Sequence, residues 1–357
     1  MPQHESSYAE FLYFSRQVRQ FERSPLAASR YMSLVINDSG HLLSFGSTIP
    51  VVEAEEDTQL FPGSLHGRRQ QRHACPLGRG SKFKTVVIPR PIIRLRPRIW
   101  SCAAGEYHCL ALSEAGHVSS WGSNTHGQCG RLQDREHLAT ASPGLVWPRF
   151  SRSDRDSFRF GCIVAIESYS AALSLDGHLY EWGQHPVISM LFHVGVNVCF
   201  PVPTRKDGSG PHVREAARAL HGVRLSRLSA GSAHLLVLTR EGRALSWGDG
   251  STGALGHEVL WTDGQILNDC DESRWCVPRV IEAPSSVRLV AVAAGPGYSL
   301  AVDAEGAVWG WGGDGWTGTH GSGAGDPPCL PTRVLSLAAH KITTVFASDG
   351  MAMATTD

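Results

Sequence analysis

The sequence has no uninterrupted apolar run of transmembrane length, and Met1–Glu5 does not begin a basic-then-apolar leader. The formal net charge is zero and only 18% of residues are charged, so bulk electrostatics favour neither a nucleic-acid binder nor a membrane-surface protein. The nine cysteines are odd in number and scattered, without zinc-ligand spacing. These absences predict a protein of the cytoplasm, the nucleus or both, with no membrane attachment.

Sequence motifs for catalysis are also missing. No Gly-x-Ser-x-Gly and no His-Glu-x-x-His occurs in the chain. The glycine-rich run after Trp311 lacks the Gly-Lys-Ser/Thr ending of a phosphate loop, and no helical pattern follows it. We therefore predict that the protein is not an enzyme and has no catalytic residues, cofactor or metal.

The chain does contain an internal repeat. The pattern of residues 104–122, from Ala-Gly-Glu-Tyr-His to Trp-Gly, returns without a gap at residues 230–248. Each copy has an alternating apolar run, a turn with glycine and a second short run, which predicts a β-hairpin with one buried face. Because so small a unit cannot bury its own face, the copies must pack against one another.

The copies recur along most of the chain. Aromatic-Gly pairs stand 61 to 76 residues apart, at Phe45-Gly46, Trp121-Gly122, Trp182-Gly183, Trp247-Gly248 and Trp311-Gly312. Five residues before each aromatic lies a glycine, at Gly40, Gly116, Gly177, Gly242 and Gly306. A truncated copy at 347–353 makes six recognisable repeat units and leaves room for a seventh.

These residues resemble the repeats of the regulator of chromosome condensation family. That family's signature is Ala-Gly-x-x-His-Ser, then Gly-x-Val-x-x-Trp-Gly, then a polar loop, which is preserved best here at 123–130. The resemblance covers roughly residues 27–357 and implies an all-β propeller of four-stranded blades, its ring closed by pairing of the N- and C-terminal strands.

The N-terminal segment, residues 1–26, supports two interpretations. Ser7–Glu10 fits a helix capping box, and the large apolar residues fall on one helical face, at Phe11, Phe14, Val18 and Phe21. Phe11–Ser15 also reads as a degenerate copy of the strand that normally ends in Trp-Gly. Since the truncated copy lacks such a strand, we slightly favour the closing strand.

A basic excursion is predicted at about 58–98, after an acidic tract at Glu53–Asp57. Its charges begin with Arg68, Arg69, Arg72, Arg79, Lys82 and Lys84, without a carboxylate from 58 to 105. A solvated loop is the favoured interpretation; a contact for phosphates or an acidic partner is the alternative.

Residues at one repeat phase are predicted to be structural. His108 and His234 occupy a position that holds Met or Tyr in the other copies, so we expect a hydrogen bond between blades rather than catalysis or metal binding. The repeat anchors that we expect to pack the blades are Trp121, Trp182, Trp247, Trp311, Gly105, Gly231 and Gly295.

The loops that follow the Trp-Gly strands should emerge on a common face and contact a partner. The residues predicted there are Asn124, His126, Asp249, Asp314 and Trp316. We predict a monomeric ring that acts as a protein–protein interaction scaffold in a regulatory complex.

Three alternatives come from the family resemblance. One is guanine-nucleotide exchange on a small GTPase, and another is association with chromatin or nucleic acid through the basic 67–98 stretch. The third is an accessory role in tRNA or diphthamide modification. The protein partner would be a GTPase, a histone or a modification factor respectively.

Overall fold

The computed structural model describes residues 15–21, 23–29, 32–47, 85–124, 126–131, 139–146, 159–184, 199–205, 220–250, 252–257, 261–262, 265–266, 277–313, 330–348 and 351–356. Regular structure in these ranges is almost entirely antiparallel β-sheet. A helical turn at residues 15–18 and a 3₁₀ turn at Leu335–Leu337 are exceptions.

Each repeat supplies the strands of one blade, numbered β1 to β24 in chain order. The first strands are β1 (Leu26–Ala28), β5 (Ile99–Ala104), β9 (Phe160–Ile166), β13 (Leu225–Ala230), β19 (Leu289–Ala294) and β23 (Thr344–Ser348). The second strands are β2 (Met32–Ile36), β6 (His108–Ser113), β10 (Tyr169–Ser174), β14 (His234–Thr239), β20 (Tyr298–Asp303) and β24 (Met351–Thr355). The third strands are β3 (Leu42–Ser47), β7 (Val118–Ser123), β11 (Leu179–Gln184), β15 (Ala244–Gly248) and β21 (Val308–Gly312). The fourth strands are β4 (Thr85–Pro91), β8 (Ala139–Leu145), β12 (Cys199–Arg205), β18 (Arg279–Val280) and β22 (Thr332–Arg333).

The sheets confirm the all-β propeller of four-stranded blades. Five sheets have four strands in the order first, second, third, fourth, and β23 pairs only with β24 among the described residues. A small separate hairpin, β16 (Trp261–Thr262) with β17 (Gln265–Ile266), is inserted in blade 4. First strands of consecutive blades contact one another, so they line the axis of the ring.

The second strands of blades 2 to 5 are buried along their whole length. Every residue of β6 and of β14 is buried, because a neighbouring blade covers each face of the sheet. This explains the near-continuous apolar runs Cys109–Leu112 and Leu235–Leu238.

The hydrophobic core is divided into clusters between consecutive blades. Trp121 packs with Leu34 and Leu42 of blade 1, and Trp247 packs with Leu173 and Leu179 of blade 3. The repeat tryptophan of one blade thus fills the gap to the blade before it, and all four are 0% exposed. This geometry explains why an isolated repeat would leave its largest side chain in water.

Backbone hydrogen bonds join each blade to the next. The carbonyl of the glycine in every second-to-third-strand turn accepts from an amide at the start of the following blade. These bonds are Ile99 N to Gly40 O, Phe160 N to Gly116 O, Leu225 N to Gly177 O, Leu289 N to Gly242 O and Ile342 N to Gly306 O, at 2.8 to 3.1 Å.

Part of the predicted basic excursion belongs to blade 1 instead. β4 pairs with β3 through residues 85–91, and residues 92–98 lead directly into blade 2. The prediction of a loop over 58–98 is therefore wrong for residues 85–91, which form β4. Val86 of this strand and Ile92 just after it supply apolar side chains to the core of blade 1.

The N-terminal segment packs against the first strands near the axis. Val18 is fully buried, a Cβ on Gly161 would lie 2.3 Å from the Phe21 ring, and Ser24 O accepts from Cys102 N at 3.0 Å. Residues 11–14 of the predicted closing strand lie outside the described residues. Among the described residues of this segment, 15–18 form a helical turn.

Truncation should separate the two interpretations. Deleting residues 1–24 should lower the free energy of unfolding by about 2–3 kcal/mol, since it removes the burial of Val18 and part of that of Phe21. Denaturant titration of this protein and of one lacking only residues 1–14 would measure the difference. An equal loss in both would support a closing strand at 11–14, whereas wild-type stability after the shorter deletion would exclude that strand.

Candidate partner-binding face

All third strands end in an aromatic-Gly pair at the same end of the blades. We call this end the Trp-Gly face. It consists of the loops that begin after Gly122, Gly183, Gly248 and Gly312, with the first-to-second-strand turns at 105–107, 167–168, 231–233 and 295–297. The predicted partner residues all lie in its loops or beside them in sequence.

The glycine of each Trp-Gly pair allows two backbone segments to meet at this face. A Cβ on Gly122, whose φ is +110°, would lie 2.4 Å from the Tyr107 carbonyl oxygen. The following amide, Ser123 N, donates to that same oxygen at 2.8 Å. Gly248 makes the equivalent approach to the carbonyl of Ala233. A side chain at either glycine would push the loop after the third strand away from the first-to-second-strand turn. The glycine of the Trp-Gly pair therefore fixes where this loop begins.

The repeat histidine forms a bridge between blades. The His108 ring lies over Gly105, where a Cβ would be 2.3 Å from Cε1. Its Nε2 is 2.7 Å from Ser170 Oγ of the next blade. Ser170 donates to the carbonyl of Gln128 at 2.9 Å, and Trp182 Nε1 donates to the same carbonyl at 2.9 Å. One loop carbonyl of blade 2 thus holds two side chains of blade 3.

The same network recurs two blades later. His234 Nε2 is 2.9 Å from Ser299 Oγ, and Ser299 and Trp311 Nε1 both donate to Ala254 O at 2.8 Å. Because the serine proton is committed to the carbonyl, the imidazole Nε2 carries the donated hydrogen. Burial lowers the pKa of each histidine to about 4, so both are neutral at pH 7. These contacts belong to blade packing rather than to a site.

Blade 3, which is formed by the third repeat unit, lacks the histidine of this network and has a linked set of different residues in its place. Ile166 stands where units two, four and five have glycine, and the Tyr169 hydroxyl donates to Glu181 Oε1 within its own blade. In unit five, by contrast, the Tyr298 ring covers Gly295, where a Cβ would lie 2.3 Å from Cζ. A tyrosine directed toward Glu181 leaves room for a side chain at residue 166, which explains the missing glycine.

The structure corrects one predicted contact residue and describes two others. Asn124 is only 3% exposed, and its Oδ1 accepts from Cys129 N at 2.7 Å, so it shapes the loop and cannot reach a partner. His126 is half-buried, which lowers its pKa, and its amide donates to Gln128 Oε1 at 2.9 Å. Asp249 is half-buried. Asp314 and Trp316 lie outside the described residues, as do the basic residues Arg68, Arg69, Arg72, Arg79, Lys82 and Lys84.

The described part of the face carries carboxylates that the sequence reasoning missed. Glu106 and Glu167 stand in the turns of adjacent blades, and Glu106 N donates to Glu167 O at 3.1 Å. Partial burial and the nearby Glu106 carboxylate raise the pKa of Glu167. With Asp249, these residues give the face local negative charge. Both glutamates stand one residue after the same repeat position, Gly105 in blade 2 and Ile166 in blade 3. This shared spacing could have identified them from the sequence.

Groups suited to catalysis do not converge in the described ranges. Burial raises the pKa of Cys102 to about 12, so its sulfur is a thiol rather than a nucleophilic thiolate. Within these residues, no group of three or more His, Cys, Asp or Glu side chains could hold a metal ion. No helix in the same residues is long and apolar enough to span a bilayer.

Sequence comparison identifies the repeats. Two models, both described as the regulator of chromosome condensation (RCC1) repeat, match residues 241–302 and residues 102–128 with 226–254. The ultraviolet-B receptor UVR8 of Arabidopsis thaliana is 30% identical over 68% of this chain and 48% of its own length. The guanine nucleotide exchange factor SRM1 of Saccharomyces cerevisiae is 35% identical over 61% of this chain and 46% of its own length. The chain thus spans about half the length of these two relatives.

Structural comparison identifies the same architecture. The crystal structure of Prp20p from Saccharomyces cerevisiae matches with a TM-score of 0.63 at 22% identity, over 92% of this chain and 67% of that one. Human WBSCR16 matches with a TM-score of 0.62 at 18% identity, over 91% and 69%. At these identities the match concerns the fold. The repeat models and the sequence relatives place the chain in the family of propeller proteins built from regulator of chromosome condensation repeats.

Proposed function

We propose that this protein is a non-enzymatic scaffold that holds a protein partner on its Trp-Gly face. The observation that carries the proposal is the use of the repeat's polar side chains in blade packing. His108 bonds to Ser170, and Ser170 and Trp182 both donate to the Gln128 carbonyl. The loops carried by this rigid frame are therefore the parts available to bind a partner. A rigid frame lowers the conformational entropy that is lost when the partner binds.

The relatives support a protein partner as the class of ligand. Prp20p has binding properties toward Gsp1p and histones, and SRM1 is named as an exchange factor. Both relatives are longer than this chain, so their partners are candidates for this protein rather than its properties. The cytoplasmic or nuclear location and the monomeric ring stay predictions.

Substitution of the predicted loop contacts should weaken a partner without unfolding the ring. A protein captured by the wild type would be purified, and its dissociation constant measured against wild type, Asp314→Ala/Trp316→Ala and the outer-strand control Arg333→Ala. We expect a weakening of about thirtyfold or more for the loop variant, since a buried aromatic anchor contributes about 2 kcal/mol or more, and no change for the control. Equal affinity of all three proteins would show that the partner does not contact these loop residues of the Trp-Gly face.

The exchange-factor alternative is tested with the same preparation. An exchange factor accelerates nucleotide release because it binds the nucleotide-free GTPase more tightly than the loaded one. With about one-hundredth as much of this protein as of a Ran-like or Rab-like GTPase, we expect no faster release of fluorescent GDP. Accelerated release would overturn the scaffold proposal.

A further inference from the structure

A basic residue recurs where blades 2 to 6 begin, at the end of the propeller opposite the Trp-Gly face. This end, the Gly-turn face, contains the second-to-third-strand turns and the segments that enter the next blade. The recurring residue immediately precedes the amide that bonds to the turn glycine. Its occurrences are Arg98, Arg159, Arg224, Arg288 and Lys341.

Blade packing explains a long side chain at this position but not its charge. The bonds that join the blades use main-chain atoms, such as Leu289 N to Gly242 O, which any residue other than proline supplies. A Cβ on Gly242 would lie 2.4 Å from Arg288 Cγ, and one on Gly306 would lie 2.6 Å from Lys341 Cγ. The aliphatic stems therefore cover the turns, and an uncharged stem would do so equally well.

Only part of this charge is neutralised within the described residues. Arg98 lies 3.6 Å from Glu114, which is buried and also faces Arg19 at 3.7 Å. Arg224 lies 3.9 Å from the largely exposed Asp176. Arg288 and Lys341 are exposed, and none of the described ion pairs includes them.

The turn beside Arg288 adds further positive charge. Arg240 and Arg243 flank Gly242, with the fully exposed Glu241 between them. Arg240, Arg243, Arg288 and Lys341 are all exposed, so they form a local basic patch on the Gly-turn face. Such a patch attracts an acidic segment during approach.

The distribution of charge favours an acidic protein over a nucleic acid. A phosphate backbone is uniformly negative, and exposed carboxylates stand among the basic residues of this face, at Asp38, Asp176, Glu241 and Glu305. A protein segment can place its Asp and Glu side chains opposite the basic residues and neutral ones opposite these carboxylates. Guanidinium groups also match carboxylates in bidentate geometry.

We propose that the Gly-turn face is a second interaction surface, centred on Arg288 and Lys341, that binds an Asp/Glu-rich protein segment. This surface is separate from the Trp-Gly face, so the failure of one leaves the other standing.

Binding of an acidic probe peptide tests the surface. The probe is a fluorescein-labelled peptide in which Asp and Glu alternate with Gly and Ser, and its control replaces the acids by Asn and Gln. We expect fluorescence anisotropy to show acid-dependent binding, weakened about tenfold or more by Arg288→Glu/Lys341→Glu. Arg288→Met/Lys341→Met keeps the stems over the turns, so it should lose most of the binding with the fold intact by circular dichroism.

A matched pair on the outer strands of blades 4 and 5 controls for net charge. Arg279 and Arg333 are both exposed there, so Arg279→Glu/Arg333→Glu makes the same charge change elsewhere. We expect it to bind the probe as the wild type does. Three results would each overturn the proposal. They are an equal loss of probe binding in both reversal variants, no binding of the probe at about 0.15 M salt, and tighter binding of a 20-base-pair DNA duplex than of the peptide.

Discussion

Replacing Trp247 with alanine should lower the free energy of unfolding by about 3–5 kcal/mol, the range measured for removal of a large buried side chain. Trp247 is 0% exposed and lies between blades 3 and 4, with Leu173, Leu179 and Leu235 in the same cluster. Its removal would open a cavity between two sheets whose strands are fixed by their own hydrogen bonds, so little collapse can fill it.

Trp309 provides the control for this prediction. It lies in a third strand like Trp247, but it is off the repeat phase and half-exposed, and its Nε1 donates to Asp303 Oδ2 at 2.8 Å. Trp309→Ala should cost clearly less in the same urea titration. A Trp247→Ala protein within about 1 kcal/mol of the wild type would mean that the blades are not held by the repeat tryptophans.

The repeat made most of the fold predictable because its spacing reports local geometry. The aromatic-Gly pairs predicted where third strands end, and the structure ends β7, β11, β15 and β21 at or one residue after them. The glycine five residues earlier predicted the turn that precedes each third strand. Both features depend on residues that are close together in the chain.

What the sequence could not show depends on contacts between blades. Asn124 resembled an exposed loop residue, but its side chain is buried because it holds the loop that accepts from Trp182. Nothing in the sequence connected Ile166 with Glu181, although Tyr169 pairs with Ile166 on the neighbouring strand and donates to Glu181. The basic patch on the Gly-turn face was also hidden, since Arg288 and Lys341 come to the same end of the propeller only when the blades are aligned in space.

The stability of the propeller should fall steeply between pH 6.5 and pH 4 because its bridging histidines are buried in the neutral form. Burial lowers the pKa of His108 and His234 to about 4. Nearby Asp249 raises the pKa of His234 in part, against the larger effect of burial. His257, which lies 3.0 Å from Ser246 Oγ, also has its pKa lowered to about 4 by burial, with a smaller contribution from Arg279.

The sign follows from proton binding in the two states. In the unfolded chain a histidine takes up a proton near pH 6.5, whereas in the folded protein these rings do so only near pH 4. Between these values the unfolded state binds more protons, so acidification favours unfolding. From pH 7.5 to pH 5 the loss is about 2 kcal/mol per histidine, and it is complete below pH 4. Burial raises the pKa of Asp176, but the hydrogen bond from Ser174 and the neighbouring His178 outweigh it and lower the pKa. Protonation of Asp176 therefore reduces the stability of the fold only at still lower pH.

Replacing both bridging histidines with methionine should flatten this pH dependence. Methionine occupies the equivalent position at residue 32, where it is 2% exposed, so it suits the space between blades. The serines keep their bonds to the Gln128 and Ala254 carbonyls. Urea titrations at pH 7.5 and pH 5 should show that His108→Met/His234→Met removes about two-thirds of the wild-type loss, with His257 responsible for the rest. The exposed His340→Gln variant should retain the full loss, and a double variant that retained it too would show that these imidazoles do not control the acid stability of the ring.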